Sequence, residues 1–366
     1  MNLQEQLEDQ LFLKNQNFKV KKKDKNFFER KSKPFIIAEM SGNHNGSLAN
    51  ALKLVDLASK CGVNAIKLQT FKPDTITIKS SRKEFFIKDK KNLWKNQSLY
   101  NLYKKAHTPW EWHHKIFNRA KKRNLICFSS PFDETAVDFL EKLKTPIYKI
   151  ASFENTHFPL LKKIAKTGKP IIMSTGLASL KEISDSVSFL KRNGCKEIAL
   201  LKCTSSYPAN ADDLNLITIK DLKKRFKCKV GISDHSLGIG AAIASVSLGA
   251  EIIEKHFSLK KNVGVDGQFS SEFNEMRDLV NQSKIALKSI GKIFYGPTKN
   301  EKKYVIYRRS IYISKDVKRG QKITDKNLKI IRPSTGLKPK FYWKVLGKRF
   351  KKNYKQGTPL KKEFII

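Results

Sequence analysis

From Pro34 to Phe294 the chain repeats one rhythm: a short apolar, β-branched run followed by a longer segment of helical period. Eight such runs occur, at 35–40, 65–69, 125–129, 147–152, 171–174, 198–203, 230–233 and 252–257. Amphipathic stretches lie between them, for example at 48–61, 110–123, 134–143, 180–192 and 216–226. The runs are continuous rather than alternating, as strands covered on both faces require, and that condition belongs to parallel sheets. Eight strand–helix units packed into about 250 residues suit a closed (β/α)8 barrel, a TIM barrel, better than an open sheet.

The remainder of the 366 residues falls outside that rhythm. Residues 1–33 are polar and charged without a sustained period, and read as an extension. The barrel is expected over 34–294 and a linker over 295–304, where Tyr295-Gly296-Pro297 is a turn signal. Residues 305–366 read as a small β-rich domain of short strands and turns, with Gly320 turning between two strand-like pieces.

No apolar run reaches the roughly 18 residues of a membrane helix. The start, MNLQEQLEDQ, is acidic and polar, unlike a secretory leader. The five cysteines (Cys61, Cys127, Cys195, Cys203 and Cys228) form no C-x-x-C pair, and Cys127 and Cys203 sit inside apolar runs as small hydrophobes. These features lead us to expect a reduced, cytoplasmic protein without disulfides.

Charge is the compositional outlier. Lys plus Arg number 74 against 33 Asp plus Glu, a formal net charge of +41. A nucleic-acid partner would call for clustered basic residues interleaved with aromatics. Here they are spread, with dense runs only at 21–25, 348–352 and 361–362. A solvated Lys-rich surface is the better reading, and nucleic acid is not expected as a partner. Such a field draws phosphorylated and carboxylated small molecules.

In a (β/α)8 barrel the functional groups gather at the C-terminal strand ends. Nearly every run here ends in polar residues: Glu39, then Lys67 and Gln69, Ser130, then Lys149, Ser152 and Glu154. Ser174, the Lys202–Tyr207 stretch, Ser233 with His235, and Glu254 with His256 complete the ring. Singly, a Ser there caps the next helix and a Lys snorkels. As a ring of eight they point to a polar small molecule, and the lysines and hydroxyls to an anion. His235 and His256 stand at matching ends of adjacent runs, 21 residues apart. Two imidazoles side by side suit a divalent metal of the Mn, Co or Zn kind. His107, His113 and His114 lie next to Trp110 and Trp112 on a helical face and read as packing residues. The carboxylates Glu39, Glu154, Glu254 and Asp266 are candidates for acid–base work or for orienting a hydroxyl.

The motifs FIIAEMSGNHNGSL (35–48), AIKLQTF (65–71), CFSSPFD (127–133), YKIASFE (148–154), IIMSTG (171–176), KCTSSYP (202–208), GISDHSLG (231–238) and IEKHF (253–257) together resemble the sialic acid synthase family in order and spacing. RRSIYISKDVKRG (308–320), RPSTGLKPK (332–340) and LGK (346–348) are similar to that family's C-terminal antifreeze-like (SAF) domain. Within the family the likeness is to the pseudaminic branch. Ala151-Ser152-Phe153-Glu154 stands where the sialic and legionaminic branches usually carry Gly-Ser-Gly-Glu, and 84–113 also looks like the pseudaminic branch. Residues 1–33 are not covered by the resemblance.

The resemblance implies a transferase that condenses phosphoenolpyruvate with an N-acetylated amino sugar, a diacetamido-trideoxyhexose in the pseudaminic branch. It implies a divalent metal ion (Mn2+, Mg2+ or Co2+) on His235 and His256, which count with Glu39 as the catalytic set. Phosphoenolpyruvate would be held by Lys67, Ser130, Lys149, Ser152, Ser174 and Ser233. Gln69, Glu154, Tyr207 and Asp266 would contact the sugar, with Arg309 supplied by the SAF domain of a partner in a domain-swapped homodimer. Ser205 departs from the family, which often has Asn there.

Overall fold

The computed structural model describes residues 34–89, 93–261 and 263–366. The expected extension, 1–33, lies outside them. The chain divides into two compact units, the first closing at Gly291 and the second starting at Lys292.

Among the described residues of the first unit, eight parallel strands close a barrel in sequence order. They are β1 (Phe35–Glu39), β2 (Ala65–Thr70), β3 (Ile126–Pro131), β4 (Tyr148–Ile150), β5 (Ile171–Ser174), β6 (Ile198–Cys203), β7 (Lys229–Asp234) and β8 (Ile252–His256). Closure comes from β1 pairing β8, with Ile37 opposite Glu254 and Glu39 opposite His256. The expected (β/α)8 architecture is therefore present. Helices lie between the strands, among them Leu48–Cys61, Trp110–Lys122, Glu134–Lys142, Leu180–Arg192 and Gly240–Ser247. Three of these starts are set by side-chain caps. Ser47 accepts from the Asn50 amide, Asp133 from the Thr135 and Ala136 amides, and Ser179 forms a capping box with Glu182.

Successive strand residues point to opposite faces, which splits the core in two. Phe35, Ile37, Ala65, Phe128, Ile147, Ile172, Ala199, Leu201 and Ile252 fill the barrel interior. The residues between them, such as Ile36, Ala38, Ile66, Ile150, Met173, Leu200, Ile232 and Ile253, pack outward against the helices. The interior layers are apolar low in the barrel, and the next inward position up each strand is where the polar ring begins.

The strand bounds fall within two residues of the sequence reading, and β4 is shortened most. The run 147–152 forms a strand of only three residues, Tyr148–Ile150. The chain then leaves the sheet and turns through a short 3-10 segment, Ser152–Glu154, in which Ser152 and Glu154 are buried.

The second unit pairs β9 (Ser310–Ile313) with β10 (Leu328–Ile331) antiparallel, with Ile311 opposite Ile330. Its own core is built of Ile311, Ile313, Val317, Ile323, Leu328, Val345, Phe350 and Leu360. Isolated bridges such as Val317–Tyr354 and Lys322–Arg349 tie its turns together.

Candidate active site

Inward positions two residues apart carry the site up from the apolar layers: Ile37 to Glu39, Ala65 to Lys67 and Gln69, Phe128 to Ser130, Ile147 to Lys149, Ile172 to Ser174, and Ile252 to Glu254 and His256. Strand alternation thus converts one continuous apolar run into a core below and a polar ring above.

Two buried lysines dominate the floor. Lys67 Nζ lies 2.5 Å from Glu39 Oε2 and donates to Ser130 Oγ at 3.3 Å. Lys149 Nζ donates to Ser174 Oγ at 2.7 Å. Glu254 stands between them, 4.0 Å from Lys67 and 3.8 Å from Lys149, and accepts from Ser233 Oγ at 3.1 Å. Gln69 Nε2 donates to Glu39 Oε1 at 3.0 Å. Burial would lower the Lys67 pKa, but Glu254 and Glu39 outweigh it and hold the ammonium charged. Lys149 is lowered, because burial and the nearby Lys67 act against Glu254. Burial would raise the Glu254 carboxyl, and the two lysines bring it down instead. The floor is therefore a charged, hydrogen-bonded cradle, lined by donors that suit an anion.

The histidines stand beside it. The His235 and His256 rings are 5.2 Å apart, centre to centre. His235 Nδ1 donates to the Thr204 carbonyl at 2.9 Å, which leaves its Nε2 lone pair available. His256 Nδ1 is buried and has no hydrogen-bond partner among the described residues; Asp266 Oδ2 is 3.5 Å away. Ser41 in turn donates to Asp266. Tyr207 packs on His235 at 4.5 Å, and Phe269 on His256 at 4.9 Å. Among the described residues no three His, Cys, Asp or Glu side chains surround one point as a metal cage. The pair fits a divalent ion that takes two protein nitrogens and draws its other ligands from water or substrate, as an open catalytic site does.

Unsatisfied buried atoms mark where a ligand would meet the wall: Glu154 Oε2, Glu254 Oε2 and Ser152 Oγ have no partner among the described residues. Burial pushes the Glu154 carboxyl up to about 7, with Lys149 opposing. Gly176 opens this wall, since a Cβ there would fall 2.3 Å from Ser205 Oγ and 2.6 Å from Ser152 Oγ.

Of the residues expected from sequence, the barrel brings together Glu39, Lys67, Gln69, Ser130, Lys149, Ser174 and Ser233 around the floor. His235, His256, Tyr207 and Asp266 stand as a second group, and Ser152 and Glu154 lie on the turn after β4. Arg309 belongs to the second unit, where its guanidinium donates to the Ile330 carbonyl at 3.4 Å. His113 is a packing residue as expected: buried, it contacts Thr70 Oγ1 at 2.8 Å, and burial lowers its pKa to about 4. Three contributors have surroundings the sequence did not specify. Glu254, a candidate carboxylate from sequence, proves central, between the two lysines and Ser233. Cys203, read as a core thiol, sits 3.9 Å from His235 Nδ1. Trp94 packs against Tyr207 at 5.7 Å and donates to the Val265 carbonyl, a contact between distant loops that no local pattern encodes.

The chain is similar to known proteins along most of its length. Residues 54–295 match the NeuB family, and residues 308–366 match the SAF domain. A pseudaminic acid synthase of Campylobacter jejuni is 43% identical over 335 residues, spanning 91% of this chain and 97% of its own length. An N,N'-diacetyllegionaminic acid synthase of the same organism is 40% identical over 329 residues, spanning 88% and 98%. Among solved structures, an N-acetylneuraminic acid synthetase from Leptospira borgpetersenii, in complex with citrate, superposes with a TM-score of 0.66 at 34% identity, covering 76% of this chain and 92% of that one. With residues 54–295 and 308–366 matched by the two family models and a relative 43% identical over 91% of the chain, the chain belongs to the NeuB family.

Proposed function

We propose that the protein is a pseudaminic acid synthase: it condenses phosphoenolpyruvate with 2,4-diacetamido-2,4,6-trideoxy-altrose and water, giving pseudaminic acid and phosphate. The observation that carries this reading is the floor, where Lys67, Lys149 and three serine hydroxyls (Ser130, Ser174, Ser233) form an anion cradle beside two histidines, with Ser152 on the adjoining turn. The 43% identity to a pseudaminic acid synthase over nearly the whole of both chains supports the choice of branch. Phe153 supports it too: its ring, 62% exposed, sits on the same turn as Ser152 and Glu154. An apolar ring there suits a sugar methyl in place of a hydroxyl.

In this mechanism the cradle holds phosphate and carboxylate of phosphoenolpyruvate, and C3 of the enol attacks the aldehyde carbon of the open-chain sugar, forming the C–C bond. The aldehyde oxygen gains negative charge and takes a proton. Glu154, with its carboxyl near 7, is partly protonated at neutral pH and gives that proton. Water adds at C2, and Glu39, oriented by Gln69 and Lys67, receives the proton released. The tetrahedral intermediate then expels phosphate by breaking its C2–O bond as the C2 hydroxyl becomes the ketone and gives its proton to the leaving phosphate. His235 and His256 would hold a divalent metal ion, which polarises the aldehyde when bound. Gln69, Tyr207 and Asp266 line the sugar side. Arg309 from a partner's SAF domain closes over an acetamido group, so the working unit is a cytoplasmic, domain-swapped homodimer.

Running the reaction in 18O-labelled water tests the chemistry. The label is expected at C2 of the sugar acid, with unlabelled phosphate. Label in the phosphate contradicts the C–O cleavage, and no phosphate release at all contradicts the synthase reading.

A further inference from the structure

The helix-facing sides of β7 and β8 are apolar at Val230, Ile232 and Ile253. At the strand ends this changes. Asp234 and Lys255 are opposite one another in the parallel register, and their side chains are 0% and 1% exposed. Lys255 Nζ lies 2.8 Å from Asp234 Oδ2 and donates to the Ser236 carbonyl at 2.7 Å. Asp234 Oδ1 accepts from the Ser236 amide at 2.9 Å and its hydroxyl at 2.6 Å.

A buried ion pair is a poor device for stability alone, because an apolar pair of similar volume is commonly as stable. Its placement here is specific. Asp234 and Ser236 flank His235, and Lys255 immediately precedes His256. Since side chains alternate across the strand, the pair sits behind the barrel wall while the histidines face the mouth. Two of these bonds, from Lys255 Nζ, tie the turn that carries His235 to the strand that carries His256, and the other two brace the turn itself.

We infer that Asp234 and Lys255 are positioning residues, which set the separation of the two imidazoles and so the affinity for the divalent metal. This rests on the proposed function, because it takes His235 and His256 as the ligands. Groups behind a metal ligand commonly change metal affinity by 10–100-fold when lost.

The test is direct Mn2+ binding, read by electron paramagnetic resonance on metal-free protein, with phosphoenolpyruvate binding and Tm measured in parallel. Asp234→Asn with Lys255→Met keeps side-chain size and the Ser236 turn, and leaves no unpaired buried charge. The double variant is expected to bind Mn2+ about 10-fold or more weakly, with phosphoenolpyruvate affinity unchanged within about threefold. Mn2+ affinity equal to wild type in the folded variant, even with a lowered Tm, assigns the pair to stability and overturns the inference. If the double variant does not fold, Asp234→Asn alone is read in the same way, and wild-type Mn2+ affinity overturns the inference there too. Wild-type protein that binds Mn2+ no better than the His235→Ala/His256→Ala variant overturns the inference and the metal reading together.

Discussion

Glu154 illustrates how one residue's surroundings set its chemistry. Its carboxyl would titrate near 4.5 in the unfolded chain and is pushed up to about 7 in the fold. The folded protein therefore binds this proton more tightly than the unfolded chain does. Stability from this group is present below about pH 4.5 and is lost as pH rises toward 7. Glu154→Gln removes the penalty, so thermal unfolding is expected to show a gain at pH 8.5 of at most about 3 kcal/mol and no gain at pH 4. An equal gain at both pH values would mean that burial does not hold the carboxyl up. The histidines make a second prediction at this scale. Metal polarisation supplies several kcal/mol to a transition state, so His235→Ala or His256→Ala is expected to lose Mn2+ binding and about 100-fold or more in kcat. A single variant that keeps full metal-dependent turnover would remove that histidine from the ligand set.

At the scale of elements, the alternation of the strands decides which residues meet. Lys67, Lys149 and Glu254 lie far apart in sequence and converge because each is one inward step above an apolar layer. That step was legible from the continuous apolar runs, and so was most of the ring. What was not legible follows from contacts across loops. The turn at Ser152–Glu154 shortens β4, and the Trp94–Tyr207 contact joins segments that no periodicity relates. Asp234 and Lys255 were invisible as a pair until the β7–β8 register was known. The same register makes a sharp prediction at Gly231. A Cβ there would fall 2.0 Å from the Ile252 carbonyl oxygen, a backbone atom of the neighbouring strand that has no room to yield. Gly231→Ala is expected to cost about 3 kcal/mol or more, beyond ordinary overpacking, and to lower the denaturation midpoint accordingly. A midpoint within error of wild type would show that β7 and β8 separate more easily than the packed barrel implies.

For the whole molecule, the +41 charge and the two-unit chain set the expectations. A strongly positive field steers an anionic substrate and is screened by salt. The kcat/KM for phosphoenolpyruvate is expected to fall several-fold between 50 and 500 mM salt, values chosen to span the Debye screening range. The SAF unit adds a second expectation, since Arg309→Ala should raise the sugar KM and leave the phosphoenolpyruvate KM unchanged. An unchanged sugar KM would remove the swapped-domain contact from the account. The barrel and the SAF unit were legible because their motifs run in order through the chain, whereas the exposure of Phe153 on the short turn after β4 was not, since it follows from where the strand ends. The most direct measurement is phosphate release from phosphoenolpyruvate with Mn2+, comparing 2,4-diacetamido-2,4,6-trideoxy-altrose, N-acetylmannosamine and the legionaminic acid precursor. The account predicts turnover with the first sugar only, abolished by EDTA; preferred turnover of either other sugar would contradict it.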